Sequence, residues 1–256
     1  MSRSTTNLLL QPAPSFRDAL RGISRRGDYQ ELLDQDGLPS PALAQNLQHI
    51  RLMNRWLGWS AGVWAELAPV LTSVSDRAVL LDIATGSGDV PRSLSRRAAR
   101  RGIRLTLIGS DLSDGVLRDA KRQSGPSIEL VRHDAAALPF ADRSVDLVTL
   151  CLAAHHLDPL QLTAALGEAW RVARRAVIVS DLERGRLAYA GARLMALVLR
   201  NPLTSHDGPI SVLRAYTAVE IAGLARRAGL RPIRVRRSVP FRMTLVARKD
   251  IERCRT

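Results

Sequence analysis

The residues that could do chemistry begin with a short glycine-containing segment that follows an apolar run. The segment reads Asp-Ile-Ala-Thr-Gly-Ser-Gly from Asp82 to Gly88, and residues 78–81 before it are all apolar. Glycines at such a turn let a ligand approach the backbone closely, and the first amides of a following helix point toward that ligand. The pattern is typical of a nucleotide or nucleoside site, although an ordinary connection between a strand and a helix can share it.

The residues around these glycines favour a ligand that carries positive charge. A dinucleotide-binding fingerprint has a third glycine or alanine where this chain has Pro91. An acid at Asp82, just before the turn, would repel a pyrophosphate. It suits S-adenosylmethionine instead, because this nucleoside carries a sulfonium and an ammonium group and no phosphate.

Acids also follow the next two apolar segments. Asp111 comes about 20 residues after the glycines, where an acid accepts hydrogen bonds from ribose hydroxyls. Asp134 can accept from an adenine amino group, while Ala135 offers a backbone N–H. Each acid also has a structural alternative. Asp111 could cap a helix, although Ser113 or Asp114 already fills that role, and Asp134 could be an ordinary turn residue.

Three histidines are candidates for a general base. His155 and His156 follow the fourth predicted strand, at the centre of the expected site, and His206 precedes Asp207, which could orient its imidazole. Histidine titrates near neutral pH and can take a proton from an acceptor hydroxyl. We take His156 and His206 as the catalytic residues. The alternatives are packing or helix-capping residues at 155–156 and a surface residue at 206.

Alternating strands and helices would bring these segments to one edge of a sheet, where ligands bind in such folds. Strands are predicted at 78–84, 105–110, 128–132, 145–152, 176–180, 232–237 and 241–247, and helices at 90–101, 115–123, 159–173, 187–200 and 218–228. The pattern predicts an α/β fold with a doubly wound, Rossmann-like sheet of seven strands, mostly parallel and covered by helices on both faces. The last two strands are too close for a crossover and must pair antiparallel.

Residues 1–74 precede this alternation and form a separate N-terminal segment. Residues 1–40 have weak periodicity and are predicted to be partly irregular. Apolar residues at helical spacing from Pro41 to about Leu71 predict helices, which Gly58 and Gly62 divide. We expect this segment to cover the active site of the domain formed by residues 75–256.

The region after the fifth predicted strand is expected to contact the acceptor. The helix predicted at 187–200 is apolar nearly all round. Core packing explains much of this character, and an apolar acceptor pocket would explain the remainder. Residues Thr204–Gly208, which include His206, are predicted to form a loop after this helix.

Composition narrows the classes of protein further. The net charge is +14, and lysine occurs only at Lys121 and Lys249, so nearly all of the base is arginine. Such a charge can attract nucleic acid, but a general arginine bias explains its scattered positions better.

Cys151 and Cys254 lack partners at metal-ligand spacing, so no metal site or disulfide is expected. No apolar run reaches the roughly 20 residues of a membrane span, and a cytoplasmic protein is expected.

Four motifs, at 79–89, 109–113, 133–140 and 145–148, together resemble class I S-adenosylmethionine-dependent methyltransferases of the ubiquinone/menaquinone type and their small-molecule relatives. The resemblance covers about residues 75–250. It implies a seven-stranded sheet with a reversed last strand, and S-adenosylmethionine as cofactor. It places Asp82, Gly86 and Gly88 at the methionine part, Asp111 at the ribose, and Asp134 and Ala135 at the adenine. We include Ala84, Leu112 and Cys151 as further cofactor-binding positions; Ala84 stands where the family usually has its first glycine.

A second resemblance concerns the N-terminal segment. Glu-Leu-Leu-Asp at 31–34 and Asn-Arg-Trp-Leu-Gly at 54–58 are similar to a bacterial subgroup of methyltransferases that often accompany polyketide synthases making phenolic lipids. This likeness implies O-methylation of a small molecule at a phenolic or polyketide hydroxyl.

A methyltransferase acting on tRNA or rRNA is the main alternative, because of the basic surface. Enzymes that methylate amino groups of nucleic acids typically carry Asn/Asp-Pro-Pro-aromatic after the fourth strand, whereas this chain has Cys-Leu-Ala-Ala-His-His at 151–156. It also lacks the Pro-Cys dipeptide that cytosine-C5 enzymes need. A non-enzymatic partner protein and a nucleotide-dependent oxidoreductase are further alternatives, which the intact cofactor motifs disfavour.

Overall fold

A seven-stranded sheet forms the centre of the computed structural model, which describes residues 14–34, 40–72, 76–199 and 202–249. Its strands are β1 (Arg77–Ile83), β2 (Arg104–Asp111), β3 (Glu129–Arg132), β4 (Val145–Cys151), β5 (Ala173–Leu182), β6 (Ile233–Ser238) and β7 (Arg242–Arg248). The helices are α1 (Phe16–Gly22), α2 (Ser40–Trp56), α3 (Trp59–Leu71), α4 (Asp89–Ala99), α5 (Asp114–Ser124), α6 (Pro159–Val172), α7 (Arg186–Leu199), α8 (Pro202–Arg214) and α9 (Ala218–Arg227). Short 3₁₀ turns lie at Leu32–Asp34 and Ala154–His156.

The strand order β3-β2-β1-β4-β5-β7-β6 confirms the predicted doubly wound, Rossmann-like fold. Residues 239–241 leave room for a turn but not for a crossover, so β6 and β7 pair as an antiparallel hairpin. Among the described strands, β7 is the one that runs against its neighbours, and it lies between β5 and β6. Chain order reverses between β1 and β4, so the ligand crevice is expected at the carboxyl ends of these two strands.

Apolar side chains from successive strand positions pack under helices on opposite faces of the sheet. On one face, Leu80 packs with Trp59 and Leu67 of α3 and with Leu94 of α4. On the other face, Leu81 packs with side chains of α6 and α9. Helices α3 and α4, which flank the domain boundary expected at residue 74, therefore share one hydrophobic core.

The break between α2 and α3 occurs at one of the two glycines predicted to cause it. Gly58 has a φ of 65°, in the left-handed region that favours glycine, and it precedes α3. Gly62 lies inside α3, so its predicted contribution to the break is wrong. Packing of α3 against the sheet holds the helix despite this glycine.

The segment Thr204–Gly208 is helical, so the predicted loop is wrong: α8 continues through it. Asp207 in this helix accepts hydrogen bonds from the backbone N–H groups of Leu32 and Leu33, at 2.8 and 3.2 Å. Tertiary contacts of this kind override the low helix propensity of the glycine and proline at 208–209. His206 is consequently held on a packed helix.

A buried arginine attaches the N-terminal segment to the sheet. Arg184, two residues after β5, has a side chain that is only 1% exposed. Its guanidinium group donates hydrogen bonds to the carbonyl oxygens of Ile23 and Ala215 and pairs with Glu220 at 2.6 Å. The Arg184 side chain therefore joins three parts of the chain: the residue after α1, the residue after α8, and helix α9.

Replacing Arg184 with methionine is expected to lower the free energy of unfolding by about 2–4 kcal/mol, because buried acceptors lose their donor. Denaturant unfolding followed by circular dichroism measures this change. The matched control is Arg186→Met at an exposed position of α7, which is expected to change the free energy by less than about 0.5 kcal/mol. Equal effects of the two substitutions would contradict the structural role of Arg184.

Candidate active site

The carboxyl ends of β1 and β4 meet around the buried carboxylate of Asp82, which is 2% exposed. Thr149 of β4 donates a hydrogen bond of 2.5 Å to Oδ1 of this carboxylate, and Thr85 donates one of 2.8 Å to Oδ2. The backbone N–H of Thr85 donates to the carbonyl oxygen of Ser110 in β2 at 2.8 Å. The loop after β1 is therefore fixed to both neighbouring strands.

Burial raises the pKa of Asp82 from 3.8 to about 7, although the hydrogen bonds from Thr149 and Thr85 act in the opposite direction. The carboxylates of Asp89 and Asp111 raise this pKa further. A cation placed against Asp82 would stabilise its ionised form. The site thus suits a ligand with ammonium and sulfonium groups.

Three residues of the loop after β1 have positive φ angles: 51° at Ala84, 55° at Gly86 and 67° at Gly88. A Cβ atom at Gly88 would lie 2.8 Å from Cδ1 of Ile128, whose side chain would have to shift, and the positive φ angle itself favours glycine at this position. Ala84 adopts the left-handed conformation at a cost of about 1–2 kcal/mol. Glycine would fit the backbone better at position 84.

The two acids expected at the nucleoside lie at the end of β2 and just after β3. Asp111 accepts hydrogen bonds from the backbone N–H groups of Gly86 at 3.1 Å and Ser113 at 3.0 Å. Burial raises the pKa of Asp111, against the effect of these hydrogen bonds. Asp134 is exposed and accepts from the backbone N–H of Ala136 at 2.9 Å, as a turn residue does. Their contacts with ribose and adenine stay predictions.

The three remaining cofactor candidates differ in accessibility. Leu112 is 64% exposed and is therefore accessible to a ligand ring. Ala135 is partly buried in the turn after β3. Cys151, at the end of β4, is buried, and burial raises the pKa of its thiol well above the usual value. Cys151 is therefore a small apolar side chain at this edge of the sheet.

The turn after β4 places His155 and His156 side by side against Glu31 of the N-terminal segment. Nδ1 of His155 lies 2.7 Å from Oδ1 of Asp181, and Nδ1 of His156 lies 2.6 Å from Oδ1 of Asp34. The Nε2 atoms of the two histidines lie 3.8 and 3.9 Å from the carboxylate oxygens of Glu31. Two imidazoles and three carboxylates thus form one cluster.

The surroundings of His156 do not suit the general base predicted from the sequence. Burial lowers the pKa of His156, but the carboxylates of Glu31 and Asp34 outweigh burial and raise it to about 9. The imidazole therefore carries a proton at neutral pH. The same contact, together with Arg214, holds the pKa of Asp34 well below its usual range, although burial acts in the opposite direction.

Donors from outside the turn hold the backbone of the histidine turn at 155–157. Arg26 donates hydrogen bonds to the carbonyl oxygens at 155 and 157, at 2.9 and 3.0 Å. Arg214 donates to the carbonyl oxygen at 156 at 2.8 Å, and the Tyr216 hydroxyl donates to that at 157 at 2.7 Å. The two imidazoles therefore project from a fixed backbone.

His206 on α8 has the partner that the sequence suggested for it. Its Nδ1 lies 2.9 Å from Oδ1 of Asp207. Its Nε2 is buried and has no hydrogen-bond partner within the described part of the chain. An oriented imidazole with one nitrogen left over can accept a proton from an acceptor, and this role for His206 stays a prediction.

Local sequence patterns indicate no role for Glu31, Asp34 and Asp181, the carboxylates of the histidine cluster. Glu31 and Asp34 come from the N-terminal segment, and 122 positions separate Asp34 from His156. The single hint was the run at 31–34, which the second resemblance included without a role for either acid.

Comparison with known proteins agrees with this fold. Residues 80–176 match a family model described as a methyltransferase domain. The chain is 35% identical over 98 residues to the ubiquinone/menaquinone biosynthesis C-methyltransferase of Rickettsia prowazekii, covering 36% of this chain and 39% of that protein. It is 32% identical over 125 residues to the demethylmenaquinone methyltransferase of Thermus thermophilus, covering 47% of this chain and 54% of that protein.

Solved structures show the same fold at low sequence identity. A putative O-methyltransferase from Nostoc punctiforme has a TM-score of 0.59 and 18% identity, covering 91% of this chain and 67% of that one. The CMeT domain of the citrinin polyketide synthase has a TM-score of 0.57 and 11% identity, covering 74% of this chain and 52% of that one. At these identities the likeness concerns the fold alone.

The fold and the family match define residues 80–176 as a class I methyltransferase domain, and its cofactor is S-adenosylmethionine. Part of the chain is similar to methyltransferases of the ubiquinone/menaquinone type. The chain spans 39% and 54% of the lengths of the two curated relatives. The activity and the acceptor of the whole protein are therefore matters for a proposal.

The pKa of about 7 for Asp82 predicts that cofactor affinity depends on pH. A cationic cofactor favours the ionised carboxylate, so we expect the Kd for S-adenosylmethionine to be about tenfold higher at pH 6 than at pH 8. Titration calorimetry at both pH values measures this ratio. Asp82→Asn should weaken binding at pH 8 and abolish the pH dependence. A dependence that persists in this variant would point to another group.

The left-handed backbone conformation of Ala84 predicts that glycine at this position stabilises the protein. Ala84→Gly removes the cost of the left-handed conformation and is expected to raise the free energy of unfolding by up to about 1 kcal/mol. The matched control is Ala164→Gly at an exposed position inside α6, which should lower it by about 0.5–1 kcal/mol. Denaturant unfolding compares the two variants, and the same sign for both would contradict the strained conformation.

Proposed function

We propose that this protein is an S-adenosylmethionine-dependent methyltransferase that transfers a methyl group to a small apolar molecule with a phenolic or polyketide hydroxyl. The observation that carries the proposal is the buried Asp82 beneath a glycine turn at the switch point of the sheet, within residues that match a methyltransferase domain. Methyl transfer from sulfonium requires an aligned donor and acceptor and a nucleophile that has lost its proton.

The cofactor in this proposal lies along the carboxyl ends of β1 to β4. The loop after β1 holds its methionine part, the end of β2 its ribose, and the turn after β3 its adenine. The residues assigned to these contacts are Asp82, Ala84, Gly86, Gly88, Asp111, Leu112, Asp134, Ala135 and Cys151.

An exposed apolar helix face supports an apolar acceptor. On α7, which follows the carboxyl end of β5, Leu187, Leu194 and Leu197 are 74%, 62% and 72% exposed. Their spacing places them on one side of the helix. Core packing therefore does not account for these side chains, and an apolar ligand would cover them favourably.

Among the residues described, no helix combines the length and apolar character needed to cross a bilayer.

The names of the similar proteins indicate two possible acceptor atoms, a carbon and an oxygen. The Rickettsia protein is named a C-methyltransferase, and the Nostoc structure is described as a putative O-methyltransferase. Both reactions on a phenol first require loss of the hydroxyl proton, because a phenolate is nucleophilic at oxygen and at the adjacent ring carbon. We propose transfer to oxygen, as the resemblance to the phenolic-lipid subgroup implies.

His206 is the proposed general base. A phenol has a reference pKa of about 10 and gains from a base near neutral pH. Asp207 orients Nδ1 of His206 and leaves Nε2 to accept the proton. The pKa of His156, raised to about 9, favours its protonated form at neutral pH and therefore favours His206 over His156 as the base.

RNA methylation is the alternative that the net charge of +14 raises. The family match and the relatives lend it no support. Several arginines also act inside the protein: Arg26, Arg184 and Arg214 bind backbone carbonyl oxygens. Binding to tRNA that falls steeply as salt increases would favour the alternative.

A product assay tests the proposed function. The protein is incubated with labelled S-adenosylmethionine and, separately, with alkyl phenols, quinols and tRNA, and mass spectrometry locates the label. A methoxy group on a phenol supports the proposal. Label on a ring carbon would replace O-methylation with C-methylation, and label found only in tRNA would overturn the proposed acceptor class.

The general-base role predicts a specific loss of turnover. His206→Ala is expected to lower kcat at neutral pH by at least tenfold and to leave the Kd for S-adenosylmethionine unchanged. Activity should recover partly as the pH approaches the pKa of the phenol, because the acceptor then ionises without help. Ser205→Ala, which removes a hydrogen bond to the carbonyl oxygen of Ala196, is the neighbouring control. If the two variants behave alike, His206 is not the base.

A further inference from the structure

Three potential metal ligands lie together outside the loop that follows β1: Glu31, His155 and His156. One ligand atom from each residue lies within 4.8 Å of the others. Zinc sites place nitrogen and oxygen ligands about 2.0–2.2 Å from the ion. A modest contraction of side chains therefore suffices to surround an ion. Glu31 and His155 are 2% and 4% exposed, so this cluster is not a surface collection of acids.

Each imidazole is oriented for metal binding by a carboxylate on its other nitrogen. Asp181 contacts Nδ1 of His155, and Asp34 contacts Nδ1 of His156. When Nδ1 donates its proton to a carboxylate, the lone pair of Nε2 is left for a metal, and the carboxylate fixes the ring. Both Nε2 atoms face Glu31, which is the arrangement that a shared ion needs.

An unpartnered oxygen of Glu31 points independently to a cation. Oε1 is buried and accepts no hydrogen bond within the described residues, whereas Oε2 accepts one from Ser211 at 2.9 Å. A buried carboxylate oxygen without a partner is costly and calls for an explanation. Arg214 lies 3.6 Å from Oε1, but its hydrogen bonds go to Asp34 and to the carbonyl oxygen of His156.

The charges of the cluster also favour a cation. The carboxylates of Glu31, Asp34 and Asp181 carry three negative charges, and the adjacent Arg214 carries one positive charge. Binding of a metal ion to Nε2 of His156 displaces the proton that this imidazole carries at neutral pH without metal. Two negative charges then remain in the cluster. A divalent ion would balance these two charges.

We propose that Glu31, His155 and His156 bind one divalent transition-metal ion, with Zn²⁺ and Fe²⁺ as the ions that suit the donors. Two imidazoles and one carboxylate with open coordination positions form a donor set used by catalytic zinc and by non-haem iron. The cysteine spacing alone predicts no metal site. The carboxylate ligand comes from the N-terminal segment, which local sequence patterns do not connect to the histidines.

The chemical role of the ion rests on the proposed function. An ion held by Glu31, His155 and His156 would supply a Lewis acid, which lowers the pKa of an acceptor hydroxyl bound to it. The O–H bond breaks and its proton passes to Nε2 of His206. The oxygen lone pair then forms the bond to the methyl carbon as the carbon–sulfur bond breaks, and the sulfonium becomes a neutral thioether.

Metal binding is tested on the protein without a histidine tag and without any acceptor. The protein is dialysed against EDTA and titrated with ZnCl₂ by calorimetry, and elemental analysis counts the bound zinc. We expect one zinc per chain. Glu31→Gln, which keeps the size of the side chain, and His156→Ala should each raise the Kd for Zn²⁺ at least tenfold. His206→Ala, a histidine outside the cluster, should leave this Kd unchanged.

A second readout guards against loss of folding. Co²⁺ replaces Zn²⁺ and reports nitrogen and oxygen coordination by its visible absorption, which should be present in the unmodified protein and in His206→Ala and absent in Glu31→Gln. Circular dichroism confirms that each variant is folded. Zinc affinity that is equal in the unmodified protein and in folded Glu31→Gln would overturn the proposal. Neither readout requires methyl transfer, so failure of the proposed function and failure of the metal site are separate results.

Discussion

The hydrogen bond between Thr149 and Asp82 joins β1 to β4 at the point where the chain order reverses. It places a carboxylate in a nearly closed space, where hydroxyl donors alone do not compensate for the loss of water. The loop after β1 begins at one partner of this hydrogen bond, and β4, which carries the other partner, leads into the histidine turn at 155–157. The relative position of donor and acceptor in the proposed reaction therefore depends on how closely these two strands are held.

Much of the sheet and of the loops at the carboxyl ends of its strands could be predicted, because the signals for them are local in sequence. Apolar runs followed by glycine or an acid mark strand ends, and the short connection at 239–241 leaves no topology but a hairpin. Local signals failed where packing decides the structure. Gly62 stays inside α3 because the helix packs on the sheet, and residues 204–208 are helical because Asp207 binds backbone N–H groups of another segment.

The histidine cluster could not be predicted in the same way, because its chemistry depends on residues that lie far apart in the sequence. The His-His pair was visible, but the effect of its surroundings was not. Glu31 and Asp34 raise the pKa of His156 to about 9, so its imidazole carries a proton at neutral pH when no metal ion is bound. The guanidinium groups of Arg26 and Arg214 fix the turn from outside it. A pattern of neighbouring residues carries no information on such contacts.

The burial of Asp82 has a consequence for the amount of folded protein. An ionised carboxylate with a raised pKa weakens the native state at neutral pH, and in the proposed function a cationic cofactor would supply the missing counter-charge. A ligand that binds only the native state stabilises it by about 2.7 kcal/mol at a hundredfold excess over its Kd. Proteolysis draws on the unfolded fraction. We therefore expect the lifetime of the protein to follow the supply of its own methyl donor, so that starvation for methionine would deplete the protein itself as well as its reaction.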